Sequence, residues 1–485
     1  MKAVVVGGGT AGLISAMILR KRLNYQVDVI YSGNIGIVGV GEGSTEHFRS
    51  FMEFVGIDMF DLISKCDATF KSGIMFKNWG VDDYIHHVGV PYNSKYSQYA
   101  FVYADQITKN KNKICSQFTL DNRISTWFLE NPSEFPYNQF HFNTYKLNEY
   151  LVEFAKKMGI SFYDDEIVNV VFDSKGNIKK LKGKNLEYKY DFYIDSTGFR
   201  RLLIGKMEAK WISFGKYLKM KSAVVFQTED TENYNLYTTA TAMDYGWMFN
   251  LPVWGRHGNG YIFDGDYINS EQAKLEIEKT LKKEVNIGKQ FNFDPGYYEN
   301  VWTKNCCAIG ISGSFVEPME ASSIGTTIQQ SFLLMHKLPN YNEKTIESYN
   351  NSFREIMQNI RDIVFLHYIT KKRNTKFWKD VSKIEVPDTL AQKLELWKYK
   401  LPIKEDLTEK SQYILFGEDS YTTIMNGLKL FDVDSIKKEY YSMHSFLHRE
   451  AEEVIKREEY LEKTVQTVTH KEFIETVRNR VFPKF

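Results

Sequence analysis

Lys2-Ala3-Val4-Val5-Val6-Gly7-Gly8-Gly9-Thr10-Ala11-Gly12 opens the chain with an apolar, β-branched run that ends in a glycine loop. Such a run reads as a buried parallel strand. From Leu13 to Leu23, the pairs Leu13 with Met17, Ile14 with Ile18, and Leu19 with Leu23 recur at helical spacing. The loop therefore lies between a strand and a helix, the context that gives a dinucleotide-binding fingerprint its meaning. Gly7 permits the tight turn, Gly9 lets a pyrophosphate approach the backbone, and Gly12 lets helix and strand pack closely. The amides of Thr10 and Ala11, at the helix start, face the phosphates. The plain alternative, a glycine turn with no ligand, does not require strand, loop and helix to fall in this register.

The fingerprint asks next for an acid at the end of the second strand to bond the ribose hydroxyls. Gln26 to Ile30 reads as that strand, but Tyr31 and Ser32 follow it, so the ribose anchor is altered or supplied from elsewhere. A second strand and turn, Asp191-Phe192-Tyr193-Ile194-Asp195-Ser196-Thr197-Gly198, nominates Asp195 and Gly198 as cofactor-side residues. Its bland reading is another strand ending in a turn.

Composition fits one large α/β enzyme. The chain has 485 residues, with 62 Lys plus Arg against 61 Asp plus Glu and a formal net charge of +1, which gives no footprint for nucleic acid. Aromatic residues make up 15 %, with 31 Tyr and 34 Phe, a content that suits aromatic-lined pockets and a large core alike. The four cysteines, Cys66, Cys115, Cys306 and Cys307, lack metal-ligand spacing, and no metal site is expected. A reducing cytoplasm is the simplest compartment. No apolar stretch approaches transmembrane length, so no membrane association is expected.

Glu166 to Phe172 and Ile178 to Tyr190 read as strands leading to the Asp195 turn, and Ala223 to Phe263 alternates strand-like runs with turns. A nucleotide module interrupted by a second sheet is therefore expected over residues 1–340. Residues 341–485 read as mostly helical. Ile346, Tyr349, Phe353, Ile356, Met357, Ile360, Ile363 and Val364 form one apolar stripe. Leu447, Ala451, Val454, Ile455, Leu461, Val465 and Val468 form another, on a heavily charged C-terminal helix. Both stripes read as packing faces.

Several motifs in matching order resemble those of the flavin-dependent halogenases of the tryptophan halogenase type. They are the opening glycine loop, Gly39-Val40-Gly41-Glu42-Gly43-Ser44-Thr45, Ala68-Thr69-Phe70-Lys71, and Phe315-Val316-Glu317-Pro318-Met319-Glu320. Gly246-Trp247-Met248-Phe249-Asn250-Leu251-Pro252 stands where the family has Trp-x-Trp-x-Ile-Pro, with Phe249 in place of the second Trp. His367-Tyr368 and Phe377-Trp378 complete the likeness, which extends to about Trp378.

The resemblance implies a Rossmann-type FAD-binding fold with an interleaved substrate-side sheet and a helical C-terminal region. Gly39, Val40, Gly41, Glu42 and Ile324 join the cofactor-binding set. The implied chemistry is two-component. A separate NAD(P)H-dependent flavin reductase supplies FADH2, which with oxygen and a halide ion yields hypohalous acid, and the protein carries that oxidant to an aromatic substrate. Lys71 matches the catalytic lysine, as a hydrogen-bond donor to hypohalous acid or as the nitrogen of a haloamine. Glu320 matches the carboxylate that polarises the reagent or accepts the substrate proton. Outside their motifs, a surface lysine and a capping glutamate would be the ordinary readings. Trp247, Phe249 and Pro252 match the segment that walls substrate off from the flavin. Phe249 keeps an apolar plug but loses an indole donor.

Ser322 and Ser323 follow the carboxylate where the family's backbone amides capture halide. Ser323 replaces a usual glycine, and a preference shifted from chloride toward bromide or iodide is expected. His86 matches an aromatic-contacting histidine, yet Val88 stands where a stacking Phe is used, and the Leu407 to Leu430 segment is short and poor in aromatic residues. A small electron-rich aromatic other than free tryptophan is expected: a phenol, indole, aniline or azole. A flavin-dependent aromatic hydroxylase and a non-catalytic flavin-binding scaffold are the competing readings. Homo-oligomerisation is left open.

Overall fold

A computed structural model of the chain describes residues 1–37, 39, 42–87, 107, 117–131, 135–407 and 414–480. The opening apolar run forms the strand Lys2–Val6 at the centre of a six-stranded sheet. Its spatial order is Trp302–Thr303, Cys306–Ala308, Phe192–Asp195, Lys2–Val6, Gln26–Tyr31, Ser161–Asp164. All neighbours are parallel except the outer pair Trp302–Thr303 and Cys306–Ala308. Val4 and Val5 are wholly buried, as strands covered on both faces require. The α/β class and Rossmann-type architecture expected from the glycine loop are thus present, and the strand before the Asp195 turn lies directly beside Lys2–Val6.

The glycine loop leads into the helix Thr10–Arg22, whose Leu13, Ile14, Met17, Ile18 and Leu19 are buried. Two of its glycines are steric necessities. A Cβ on Gly7, where φ is +119°, would sit 2.1 Å from the Ser196 carbonyl oxygen, and one on Gly12 would sit 2.1 Å from that of Gly7.

The interrupting sheet is seven-stranded, in the order Ile287–Asn292, Ser222–Thr228, Arg256–Phe263, Gly246–Val253, Thr238–Ala242, Gly73–Lys77, Tyr84–His87. Only Thr238–Ala242 with Gly73–Lys77 is a parallel pair. A small antiparallel sheet has the order Glu42–Gly43, Gln139–Phe142, Thr69–Lys71. It draws the cofactor-side motif, the lysine motif and an unanticipated third strand together.

The first C-terminal stripe is the buried face of the helix Glu343–Tyr368. The second is divided. Its helix, Ser445–Thr464, ends before Val465, and Val468 belongs to a strand, Thr467–Thr469, that pairs with Arg123–Ser125. A β-branched Thr-Val-Thr run with a distant partner strand outweighs continuation of the helix. One hydrophobic cluster contains residues from Ala3 to Val477, so the helices share the core of the sheets. Among the described residues Cys66, Cys306 and Cys307 are free and buried; Cys115 lies outside them. No described helix is long and apolar enough to cross a membrane.

Candidate active site

A cavity of about 630 Å³ opens over the C-terminal ends of the parallel strands. That edge is where helix N-termini and loop amides meet ligands in such sheets. Gly7, Gly9, Thr10, Ala11, Glu42, Gly198, Ser323 and Ile324 line it, as do Tyr31 and Ser32 at the end of the second strand. Gly9 differs from its neighbours. The nearest atom to a Cβ placed on it is the Ile37 Cγ2, 4.0 Å away, so the missing side chain leaves room on the ligand side. A dinucleotide cofactor fits this wall. Sequence reading missed Arg200 and Lys289, which also line it, Arg200 lying 3.6 Å from the lining carboxylate of Glu166. Arg200 lies two residues beyond the Gly198 turn, and Lys289 lies on the edge strand Ile287–Asn292, outside every motif singled out in the sequence.

The other expected cofactor residues have different surroundings. Gly12 packs helix against strand. Gly39 abuts Thr144, and a Cβ there would come within 2.5 Å of the threonine Cγ2. Val40 and Gly41 lie outside the described residues. Asp195 is wholly buried and turns inward. Its Oδ1 accepts from the Thr197 amide and hydroxyl, and its Oδ2 from the amides of Leu203 and Ile204 at 2.7 and 2.9 Å. It shapes the turn that carries Gly198 to the cavity.

Lys71 ends the strand Thr69–Lys71 with 1 % of its surface exposed, and its Nζ donates to the Ser44 carbonyl at 2.9 Å. Burial lowers its ammonium to about 8, opposed by the nearby carboxylates of Glu320 and Glu46. Glu320 lies just before the helix Ser322–Lys337 and is 2 % exposed. A Cβ on Gly43 would touch the Lys71 Cδ at 3.6 Å and the Ala321 Cβ at 3.7 Å, so the lysine stem and the residue after the carboxylate flank one glycine. The structure brings the two motifs together.

Sequence reading did not anticipate how Glu320 is held. Its Oε2 lies 2.8 Å from His86 Nδ1 and its Oε1 2.7 Å from His367 Nε2. Burial alone would raise this carboxyl, but the neighbouring His86 and the hydrogen bonds from both imidazoles hold it down at about 2. His86, expected as an aromatic contact, thus spends one ring nitrogen on Glu320. The signal for His367 was a polar His-Tyr pair closing an otherwise apolar helical stripe.

Ala321 adopts φ +51°, and the helix that follows has no side-chain cap, so its first amides face forward without an internal acceptor. Ser322 is buried; Ser323 is exposed on the cavity wall. Trp247, 1 % exposed, donates from Nε1 to Glu317 Oε2 at 2.7 Å, and Tyr368 donates to the same oxygen at 2.6 Å. The Phe249 ring fills the space over Gly260 on the adjoining strand. The Pro252 carbonyl accepts from the Thr69 hydroxyl at 2.7 Å and ties the strand Gly246–Val253 to the lysine strand. Gln139, paired with Lys71 across the small sheet, donates to Glu46, but its Oε1 is buried with no partner. No cluster of potential metal ligands occurs among the described residues.

A sequence model of the tryptophan halogenase family matches residues 2–438, well past Trp378 where the motif likeness stops. The chain is 30 % identical over 449 residues to a tryptophan 6-halogenase of Streptomyces toxytricini, covering 84 % of this chain and 85 % of that one. The crystal structure of a tryptophan halogenase from Shewanella frigidimarina superposes with a TM-score of 0.91 at 27 % identity, covering 100 % of this chain and 99 % of that one. A flavin-dependent halogenase from Xanthomonas campestris superposes with a TM-score of 0.86, also at 27 % identity, covering 99 % of each chain. With glycine cradle, buried lysine and clamped carboxylate all in place, the chain belongs to the tryptophan halogenase family and is a flavin-dependent halogenase.

Proposed function

We propose that this enzyme halogenates small electron-rich aromatic molecules other than free tryptophan, using hypohalous acid generated from oxygen and a halide. Reduced FAD, supplied by a separate NAD(P)H-dependent flavin reductase and bound in the glycine-lined cavity, would give two electrons to oxygen, the oxidant, with the balance FADH2 + O2 + X− + H+ → FAD + HOX + H2O. The forward-facing amides at Ser322 and Ser323 would hold the halide. Trp247, Phe249 and Pro252 would keep the aromatic substrate from that cavity.

The overall change is Ar–H + HOX → Ar–X + H2O. Lys71 would receive the oxidised halogen either by donating a hydrogen bond to the hypohalous oxygen or by forming an N–X bond with release of water. Its lowered ammonium serves both routes, since donor and free amine coexist near neutral to mildly basic pH. The observation that carries this reading is the buried meeting of Lys71 with the Glu320 segment across Gly43, next to the cavity wall at Glu42 and Ser323.

The deciding experiment incubates the protein with a flavin reductase, NADH, oxygen, each halide in turn and a mixed library of phenols, indoles, anilines and azoles, followed by mass spectrometry. Halide-dependent isotopic signatures on library members, with tryptophan not singled out, are expected. Hydroxylated products independent of halide would overturn the reading in favour of a monooxygenase.

A further inference from the structure

The Glu320 cluster is built from four elements. His86 comes from the strand Tyr84–His87 and His367 from the last turn of the helix Glu343–Tyr368. The remaining His367 nitrogen, Nδ1, lies 2.7 Å from the Tyr84 hydroxyl. With the phenol donating to Nδ1, the neutral imidazole carries its proton on Nε2 and donates to Glu320. Phe76, on the strand Gly73–Lys77, stacks against His367 with ring centres 4.2 Å apart and against Tyr84 at 4.9 Å, fixing both ring planes. Tyr84 in turn lies where a Gly427 side chain would be, at the end of the helix Glu418–Gly427. Glu320, His86 and His367 are 2, 1 and 0 % exposed.

Each carboxylate oxygen therefore faces its own nitrogen, so the group cannot swing toward a substrate without breaking buried hydrogen bonds, and both contacts favour its ionised form. Charged and titratable groups facing the cluster include Lys71, with Glu46 beyond it, and His87 and Tyr84. Burial and the neighbouring His86 push His87 down to about 4, and burial with the Glu320 charge pushes the Tyr84 phenol up. None of these offers Glu320 a proton near neutral pH.

We propose that His86 and His367 are positioning residues that keep Glu320 an ionised and immobile counter-charge throughout turnover. On this proposal Glu320 steadies the cationic halogen-transfer step beside Lys71 and is not the base that removes the substrate proton. The inference rests on the halogenation reading above. Its chemistry balances without a base at Glu320. As the ring's electron pair forms the C–X bond, the O–X bond of hypohalous acid breaks and leaves hydroxide. The C–H pair then returns to the ring, and the proton ends on that hydroxide as water. By the haloamine route the N–X bond breaks instead, and the proton ends on the Lys71 nitrogen.

The test is a pH titration of the full-length protein by infrared difference spectroscopy, with Glu320→Gln as the reference, run beside the halogenation assay. In the wild type no protonated-carboxyl band from Glu320 should appear between pH 8 and pH 5. In His367→Gln, and separately in His86→Gln, burial acts on a carboxylate with one anchor fewer, and the band should emerge within that window, its midpoint moved up by at least about three pH units. Halogenation by these variants should then acquire an acid limb that the Glu320→Gln background lacks. A Glu320 band in the wild type above pH 5, or midpoints unmoved in both histidine variants, overturns the inference even where halogenation is intact. Absence of any halogenated product from the wild type overturns the functional reading instead, whatever the spectra show.

Discussion

The indole N–H of Trp247 donates to Glu317 Oε2 at 2.7 Å in the interior, while Oε1 of the same carboxylate is buried without a partner. A carboxyl so placed is costly to ionise, and burial raises it to about 7.

That relationship sets a pH dependence. With the folded value raised, the native state binds the Glu317 proton more tightly than the unfolded chain does. Its stabilising contribution is present in acid and is lost as pH rises through about 7. Between pH 5 and pH 8 the wild type should lose up to about 3 kcal/mol relative to Glu317→Gln. Urea unfolding of both proteins at three pH values checks this, and parallel curves would contradict it.

Lys71 is expected to oppose stability for the sake of chemistry. Removing a buried ammonium relieves its desolvation, so Lys71→Met should be more stable than the wild type at pH 7 by about 1–3 kcal/mol, while halogenation is abolished and reduced flavin is still consumed. A less stable Lys71→Met would assign the lysine to structure.

The glycines of the opening loop should separate by role. Gly9→Val projects into open cavity and should weaken FAD binding about tenfold or more with the fold kept. Gly7→Val, forced into the Ser196 carbonyl at positive φ, should reduce the yield of folded protein. Equal loss of folded protein in both would remove Gly9 from the cofactor wall. Flavin fluorescence titration and thermal melting provide the two readouts.

Ser323 is expected to tune halide choice. In equimolar competition, bromide or iodide should enter product ahead of chloride, and Ser323→Gly should move the ratio toward chloride by roughly three- to tenfold, a change of about 1 kcal/mol. A clear chloride preference in the wild type would end this idea.

Much of this molecule is local in origin. The strand, loop and helix from Lys2 to Arg22 follow from β-branched burial, obligatory glycines and a helical apolar period, all properties of neighbours in sequence. So does the long helix Glu343–Tyr368. Lys71 and Glu320, the pair proposed to carry the chemistry, were legible only because each sits in a recognisable motif, for nothing local distinguishes a buried lysine from a solvated one.

Tertiary structure decided the rest. Gln139, 68 positions beyond Lys71, became its cross-strand neighbour because Gln139–Phe142 inserted between two short strands. His367 reached Glu320 because a helix ended against the Tyr84 strand, and the state of that carboxylate depends on donors 234 and 47 residues away in sequence. The C-terminal stripe broke at Val465 because a partner strand at Arg123–Ser125 was there to receive Thr467–Thr469. Sequence determines which segments can bury a face and which backbone turns are allowed. Charge state depends on burial and on the donors that folding happens to deliver, and neither exists until distant segments meet.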